Sequence, residues 1–87
     1  MSVSSFMLAR TPAQVGSMIR RARKQRQLSQ TQLAEATGLR QETISLLENG
    51  NPAARLDTVL AVLAGLDLEL RVGNRTRSDP SAIEDMF

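Results

Sequence analysis

The stretch LSQTQLAEATGLRQETISLLENG, residues 28–50, has the pattern of two short helices joined by a tight turn. Ala34 is small enough to let the second helix of the pair lie close against the first, and Gly38 can adopt the left-handed backbone that ends a helix. Ile44 and Leu47 are three residues apart, so both point from one helix face into a core. The spacing predicts a helix-turn-helix unit.

Capping signals and apolar periodicity extend this prediction to further helices. Thr11 with Gln14, and Ser29 with Gln32, have the spacing of capping boxes. The fourth helix carries apolar residues on more than one face, so we expect it to be buried or shared with a partner. The predicted helices cover about residues 12–26, 30–38, 41–49 and 56–65.

After the fourth helix the apolar period changes from 3.6 to 2. In DLELRV, residues 67–72, Leu68, Leu70 and Val72 alternate with charged residues, which predicts a β-strand. A lone strand leaves its backbone groups unpaired. Its partner is either the arm around residues 5–8 or the same strand of a second copy, and we favour the second copy because a self-complementary strand suits a two-fold interface.

The fold class expected is therefore mainly α, a domain of four to five helices with a short C-terminal strand that pairs across a dimer. The sequence divides into an N-terminal arm (1–10), a helix-turn-helix domain (11–66), a dimerisation strand (67–72) and a flexible C-terminal tail (73–87).

Composition excludes several classes of function. The chain has no Cys and no His, which removes the usual nucleophile–base pairs and transition-metal sites. We therefore expect no enzyme activity, no cofactor and no metal. No apolar run approaches the ~18 residues that span a bilayer, and the first residues are too short and too polar for a secretory signal. These features predict a cytoplasmic protein, associated with the nucleoid if it binds DNA.

Charge is distributed unevenly along the chain. Residues 1–34 carry six basic and no acidic side chains, whereas residues 35–87 carry five basic and nine acidic ones. A basic half attracts a polyanion, and beside a helix-turn-helix that polyanion is double-stranded DNA. The predicted phosphate contacts are Gln30 and Thr31 at the start of the second helix, with Arg21, Lys24 and Arg26 from the first.

The third helix is expected to enter the major groove by its N-terminal residues. Arg40 occupies a cap position where Ser, Thr or Asp would stabilise the helix better, which favours a role in pairing with guanine. Glu42 has two readings, interaction with the helix dipole or acceptance of a bond from cytosine. The candidate base-reading residues are Arg40, Gln41, Glu42, Thr43 and Ser45, with Leu46 on the same exposed face. Arg23 and Glu48, at the inner edges of their helices, are instead predicted to form a structural ion pair.

From Val15 to Leu66 the chain resembles the Cro/cI-type helix-turn-helix repressors. The matching residues are Arg23, Leu28, Ser29, Gln30, Leu33, Ala34, Gly38, Gln41, Ile44, Ser45, Leu47, Glu48, Asn49 and Gly50. The resemblance implies that Gln30 binds phosphate, that the residues from Arg40 to Ser45 face bases, and that Arg23 pairs with Glu48.

The Thr-Pro-Ala-Gln start, the LDLELRV strand and the tail are similar to those of HipB-type antitoxins. That resemblance implies a homodimer that binds its own operator, represses its operon and neutralises a HipA-type Ser/Thr kinase toxin. It also implies that tail residues Ile83, Met86 and Phe87 contact the toxin. The alternatives are a stand-alone or phage-type repressor without a toxin, and an interaction protein whose helix-turn-helix no longer binds DNA.

Overall fold

A computed structural model describes residues 8–75 of the chain. Its helices are α1 (Pro12–Gln25), α2 (Gln30–Thr37), α3 (Gln41–Glu48) and α4 (Leu56–Gly65). The fold class is as predicted, with all four helices at the places that the sequence signals indicate. None of the helices in this part of the chain is long and apolar enough to cross a membrane.

Side-chain caps fix where the first two helices begin. The Thr11 hydroxyl accepts a hydrogen bond from the Gln14 backbone N–H at 3.1 Å. Ser29 and Gln32 form a reciprocal box, with Gln32 N donating to Ser29 Oγ at 3.0 Å and Ser29 N donating to Gln32 Oε1 at 2.8 Å. These bonds satisfy backbone N–H groups that have no partner inside the helix, so both starts follow from short-range sequence.

Each of the four helices is followed by a residue with positive φ. These are Gln27 (58°), Gly38 (74°), Gly50 (83°) and Asp67 (59°). At α4 the turn closes through Leu68 N donating to the Leu63 carbonyl at 2.8 Å, the bond typical of a Schellman ending. In this single copy Asp67 therefore lies in the turn that ends α4, and the bounds predicted for the strand, residues 67–72, stay a prediction.

The core lies where α3 packs on α1 and α2, and where α4 packs on α2. Ala34 and Leu47 are buried, as the helix-turn-helix pattern predicted. Burying a side chain of the size of leucine stabilises the fold by about 1.5–3 kcal/mol. The side chains with no exposed surface are Ile19, Leu33, Ile44, Val62 and Leu66.

Gly16 sets the distance between α1 and α3. A Cβ at this position would lie 2.5 Å from the Leu47 carbonyl oxygen and 2.6 Å from that of Glu48. Only glycine permits so close an approach of two backbones. The separation of these two helices is therefore fixed by main-chain contact.

The residues after α4 carry apolar side chains that the single chain does not cover. Leu68, Leu70 and Val72 are exposed, as are Leu56 and Leu60 on α4. Residues 68–75 form no strand in this single copy, and both the strand and its pairing across a dimer stay predictions. Residues 1–7 and the tail side chains Ile83, Met86 and Phe87 lie outside the described residues.

Candidate nucleic-acid interface

Helix α3 has one buried and one exposed face. Ile44, Leu47 and Glu48 are buried against the other helices, whereas Gln41 and Glu42 are exposed. The exposed side therefore carries side chains that can contact a ligand without disturbing the core. The other candidates on α3 are Thr43 and Ser45, which are half-buried, and Leu46, which is exposed.

Arg40 is the residue immediately before α3, and its side chain makes no capping hydrogen bond. The side chains of Thr11 and Ser29, by contrast, do cap α1 and α2. A guanidinium cannot accept a bond from backbone N–H groups, so the Arg40 side chain does not cap the helix, although the Arg40 carbonyl accepts from Thr43 N and Ile44 N. Glu42 lies in the first turn of α3, where a carboxylate interacts favourably with the helix dipole.

A hydrogen bond joins the first residues of α2 and α3. Gln41 Nε2 donates to Gln30 Oε1 at 2.6 Å. The bond orients the Gln41 amide and leaves its oxygen and one N–H for another partner. Both residues are predicted DNA contacts, but the bond between them is not predicted from the sequence. The available signal was a glutamine at the first position of both helices.

The same network continues into the core. Gln30 Nε2 donates to Glu48 Oε1 at 3.1 Å. Glu48 also accepts two bonds from the Arg23 guanidinium, at 2.6 Å and 3.0 Å, and Arg23 donates a third bond to the Leu28 carbonyl at 2.8 Å. The ion pair predicted between Arg23 and Glu48 is present, and its side chains are only 9% and 2% exposed.

The ion pair is held in its charged form. Burial raises the pKa of Glu48. The hydrogen bonds from Arg23 and Gln30 and the nearby positive charges of Arg23 and Arg20 lower that pKa by more than burial raises it, so the net pKa lies below its ordinary value. The bond to Glu48 in turn raises the pKa of Arg23. Near neutral pH, Gln30 therefore always faces a carboxylate, which accepts its N–H.

The predicted phosphate contacts lie on two helices. Thr31 is exposed in the first turn of α2, and Arg21 and Lys24 are exposed on α1. Arg26 instead turns back, with Nη1 donating to the Ala22 carbonyl at 3.1 Å, and so caps the C-terminal end of α1. One exposed side of α1 is basic and carries Ser17, Arg20, Arg21, Lys24 and Gln25. Arg20 was not among the predicted site residues.

A family model described as helix-turn-helix matches residues 19–72. Among curated proteins, the antitoxin HipB of Escherichia coli O6:H1 (strain CFT073) is 30% identical over 80 residues, which cover 92% of this chain and 85% of that protein.

Solved structures with a similar fold include two complexes of HipB. A complex of HipB with a 20mer named O4 superposes with a TM-score of 0.77 and 28% identity, covering 82% of this chain and all of that one. A complex of HipA, HipB, O2 and O3 gives a TM-score of 0.75 and 30% identity, again over 82% of this chain and all of that one.

Proposed function

Because the chain belongs to the helix-turn-helix family, and within it to the HipB-type antitoxins, we propose that it is a dimeric DNA-binding repressor and antitoxin. It binds the operator of its own operon as a homodimer and captures a HipA-type toxin. The observation that carries this function is the match of the whole helical domain to HipB in complex with HipA.

The exposed face of α3 supports the DNA-binding half of the proposal. The core uses Ile44, Leu47 and Glu48, which leaves Arg40, Gln41 and Glu42 to face a ligand. A helix presented in this way can enter the major groove by its N-terminal residues. Lys24 and Thr31 would then reach the phosphates on either side.

The 20mer in the HipB complex supports a dimer on two half-sites. Half-sites read by a two-fold dimer have centres about one helical turn, or 10–10.5 base pairs, apart. A duplex of that length holds both of them. The uncovered apolar residues Leu68, Leu70 and Val72 provide the surface through which two copies would pair.

The comparisons favour an antitoxin over a stand-alone repressor, since one of the similar complexes contains HipA. We further propose that the toxin is a Ser/Thr kinase and that the tail residues Ile83, Met86 and Phe87 contact it. The protein itself is proposed to have no catalytic activity and to work in the cytoplasm, on the nucleoid.

Two measurements test this function. Nuclease footprinting with purified protein should show protection of a palindrome in its own promoter, with affinity that falls steeply as salt rises. Co-expression with the neighbouring open reading frame should yield a copurifying complex, and a variant truncated after residue 72 should capture less of the toxin. A protein that protects the palindrome but captures no partner would be a stand-alone repressor.

A further inference from the structure

Leu46 is an exposed leucine on the helix that otherwise shows polar side chains to its surroundings. Its exposed fraction is 55%. Within residues 8–75, the other exposed large hydrophobic side chains lie before α1, on α4 or after it: Leu8, Leu56, Leu60, Leu68, Leu70 and Val72. The dimer surface proposed above draws on α4 and the segment after it, and so gives no reason for an apolar side chain on α3.

The helical geometry places Leu46 on the face proposed to read DNA. It follows Glu42 by four residues and Ser45 by one, on the side of α3 opposite to the buried Ile44 and Leu47. Residues four apart are neighbours on a helix surface, and they are separated by a rise of about 6 Å. Leu46 therefore lies on the same exposed row as Glu42, about one helical turn further along α3.

The edges of the base pairs in the major groove present one apolar group, the C5 methyl of thymine. Apart from the C5–H of cytosine, which is smaller, the other edge groups of A·T and G·C pairs that bind protein are hydrogen-bond donors or acceptors, which a leucine cannot satisfy. Resting on the proposed function, we propose that Leu46 reads DNA by packing against the C5 methyl group of a pyrimidine, a thymine in unmodified DNA, in each half-site. 5-Methylcytosine carries the same methyl group, so the contact is expected to accept it also.

The test removes single methyl groups from the DNA. The probe is a duplex of about 20 base pairs with the palindrome protected in the protein's own promoter, and each thymine is replaced in turn by uracil. At one thymine per half-site, the replacement should lower wild-type affinity about fourfold, as expected for burial of one methyl group. Fluorescence anisotropy at fixed salt measures each affinity.

Variants of Leu46 assign the effect to this side chain. Leu46→Ala should bind the duplex with thymine at that position and the duplex with uracil there with equal affinity. At every other thymine, replacement by uracil should change its affinity as it does for the wild type. Leu46→Met, which keeps an apolar side chain of similar reach, should retain the preference for thymine. Because Leu46 is mostly exposed, both variants should keep the wild-type thermal midpoint, which circular dichroism checks.

Cytosine and 5-methylcytosine at the same position separate the methyl group from the rest of the base. Tighter wild-type binding to 5-methylcytosine than to cytosine, lost in Leu46→Ala, supports the contact. The proposal is overturned if the wild type binds the palindrome but no replacement of thymine by uracil lowers its affinity in a way that depends on Leu46. Dependence on Leu46 means that the loss of affinity is absent in Leu46→Ala. Failure of the wild type to prefer the palindrome over random DNA would instead overturn the proposed function.

Discussion

At the scale of single residues, the buried Glu48 connects more residues of the candidate interface by hydrogen bonds than any exposed side chain does. It accepts bonds from Arg23 and from Gln30, and Gln30 in turn accepts from Gln41. Its carboxylate thus connects the core of the domain to the first residue of α3. Replacing it should therefore affect both stability and DNA binding.

We expect Glu48→Ala to lower the free energy of unfolding by about 3–5 kcal/mol, because it leaves the Arg23 guanidinium buried without its partner. Urea unfolding followed by circular dichroism measures the loss. The matched control is Glu69→Ala, which removes the exposed ion pair between Glu69 and Arg71 and should change stability little. Equal effects of the two variants would show that burial of the pair has no energetic consequence.

The lowered pKa of Glu48 predicts a dependence of stability on pH. A carboxyl whose pKa is lower in the folded than in the unfolded state stabilises the fold above its unfolded pKa, about 4.3 for glutamate, and this contribution is lost as pH falls through the folded pKa. The stability advantage of the wild type over Glu48→Gln should therefore shrink from pH 7 to pH 3. An advantage that is constant over this range would argue against the shift.

Arg40 and Lys24 offer a comparison between reading bases and binding phosphate. Arg40→Ala should cost about 1–3 kcal/mol of binding and relax specificity at one base pair. Lys24→Ala should weaken binding to all sequences about equally and reduce its dependence on salt. Anisotropy titrations against a panel of single base-pair substitutions distinguish the two. If both variants give the same uniform loss, Arg40 contacts only phosphate.

The sequence predicts some residue contacts and misses others for a physical reason. The Ser29–Gln32 cap depends on spacing within one helix, and the Arg23–Glu48 pair joins opposite charges at the inner edges of two helices. The bond between Gln30 and Gln41 joins two neutral amides. Such a bond depends on an interhelical separation that periodicity does not supply. The glutamines at the first positions of α2 and α3 mark the two residues, but the sequence does not show that their amides meet.

At the scale of elements, the four positive-φ residues after the helices determine how each connection turns. Glycine adopts this backbone without a steric penalty, whereas Gln27 and Asp67 adopt it at a cost of about 1–2 kcal/mol. The sequence indicated the turn at Gly38 because glycine marks it. No glycine marks the turn at Asp67, so the sequence does not indicate that the turn ending α4 includes this residue.

We expect Gly38→Ala to destabilise the domain by about 1–2 kcal/mol, and Gln27→Gly to stabilise it by up to about 1 kcal/mol. A Cβ at Gly38 would meet no atom within 4 Å, so this variant measures the backbone alone. Thermal unfolding midpoints give both values. If Gly38→Ala were as stable as the wild type, a side chain at this position would adopt the positive φ without a cost in free energy.

At the scale of the whole molecule, the single chain leaves part of its apolar surface uncovered. Its buried side chains form a core, yet Leu56, Leu60, Leu68, Leu70 and Val72 are exposed together on α4 and the segment after it. The sequence anticipated this, because the apolar residues of α4 cover more than one helix face. How two copies meet depends on strand pairing between chains, which a pattern within one chain does not determine.

We expect the double substitution Leu68→Ser and Leu70→Ser to convert the dimer to a monomer at micromolar concentration, because it removes apolar surface from the proposed interface. Sedimentation velocity measures the change. Leu46→Ala removes a similarly exposed leucine from α3 and should leave the dimer intact. A dimer that survives the double substitution would place the two-fold interface elsewhere.

The hydrogen-bond chain from Arg23 through Glu48 and Gln30 to Gln41 has a consequence for engineering new operator specificities. Gln41 donates to Gln30 in this chain, whereas the side chains of Arg40, Glu42 and Leu46 are exposed and take no part in it. A combinatorial library that randomises positions 40, 42 and 46 would vary the surface that meets the bases in folded clones. Including position 41 would remove the bond that orients Gln30 in most clones, so retargeting should begin with the other three.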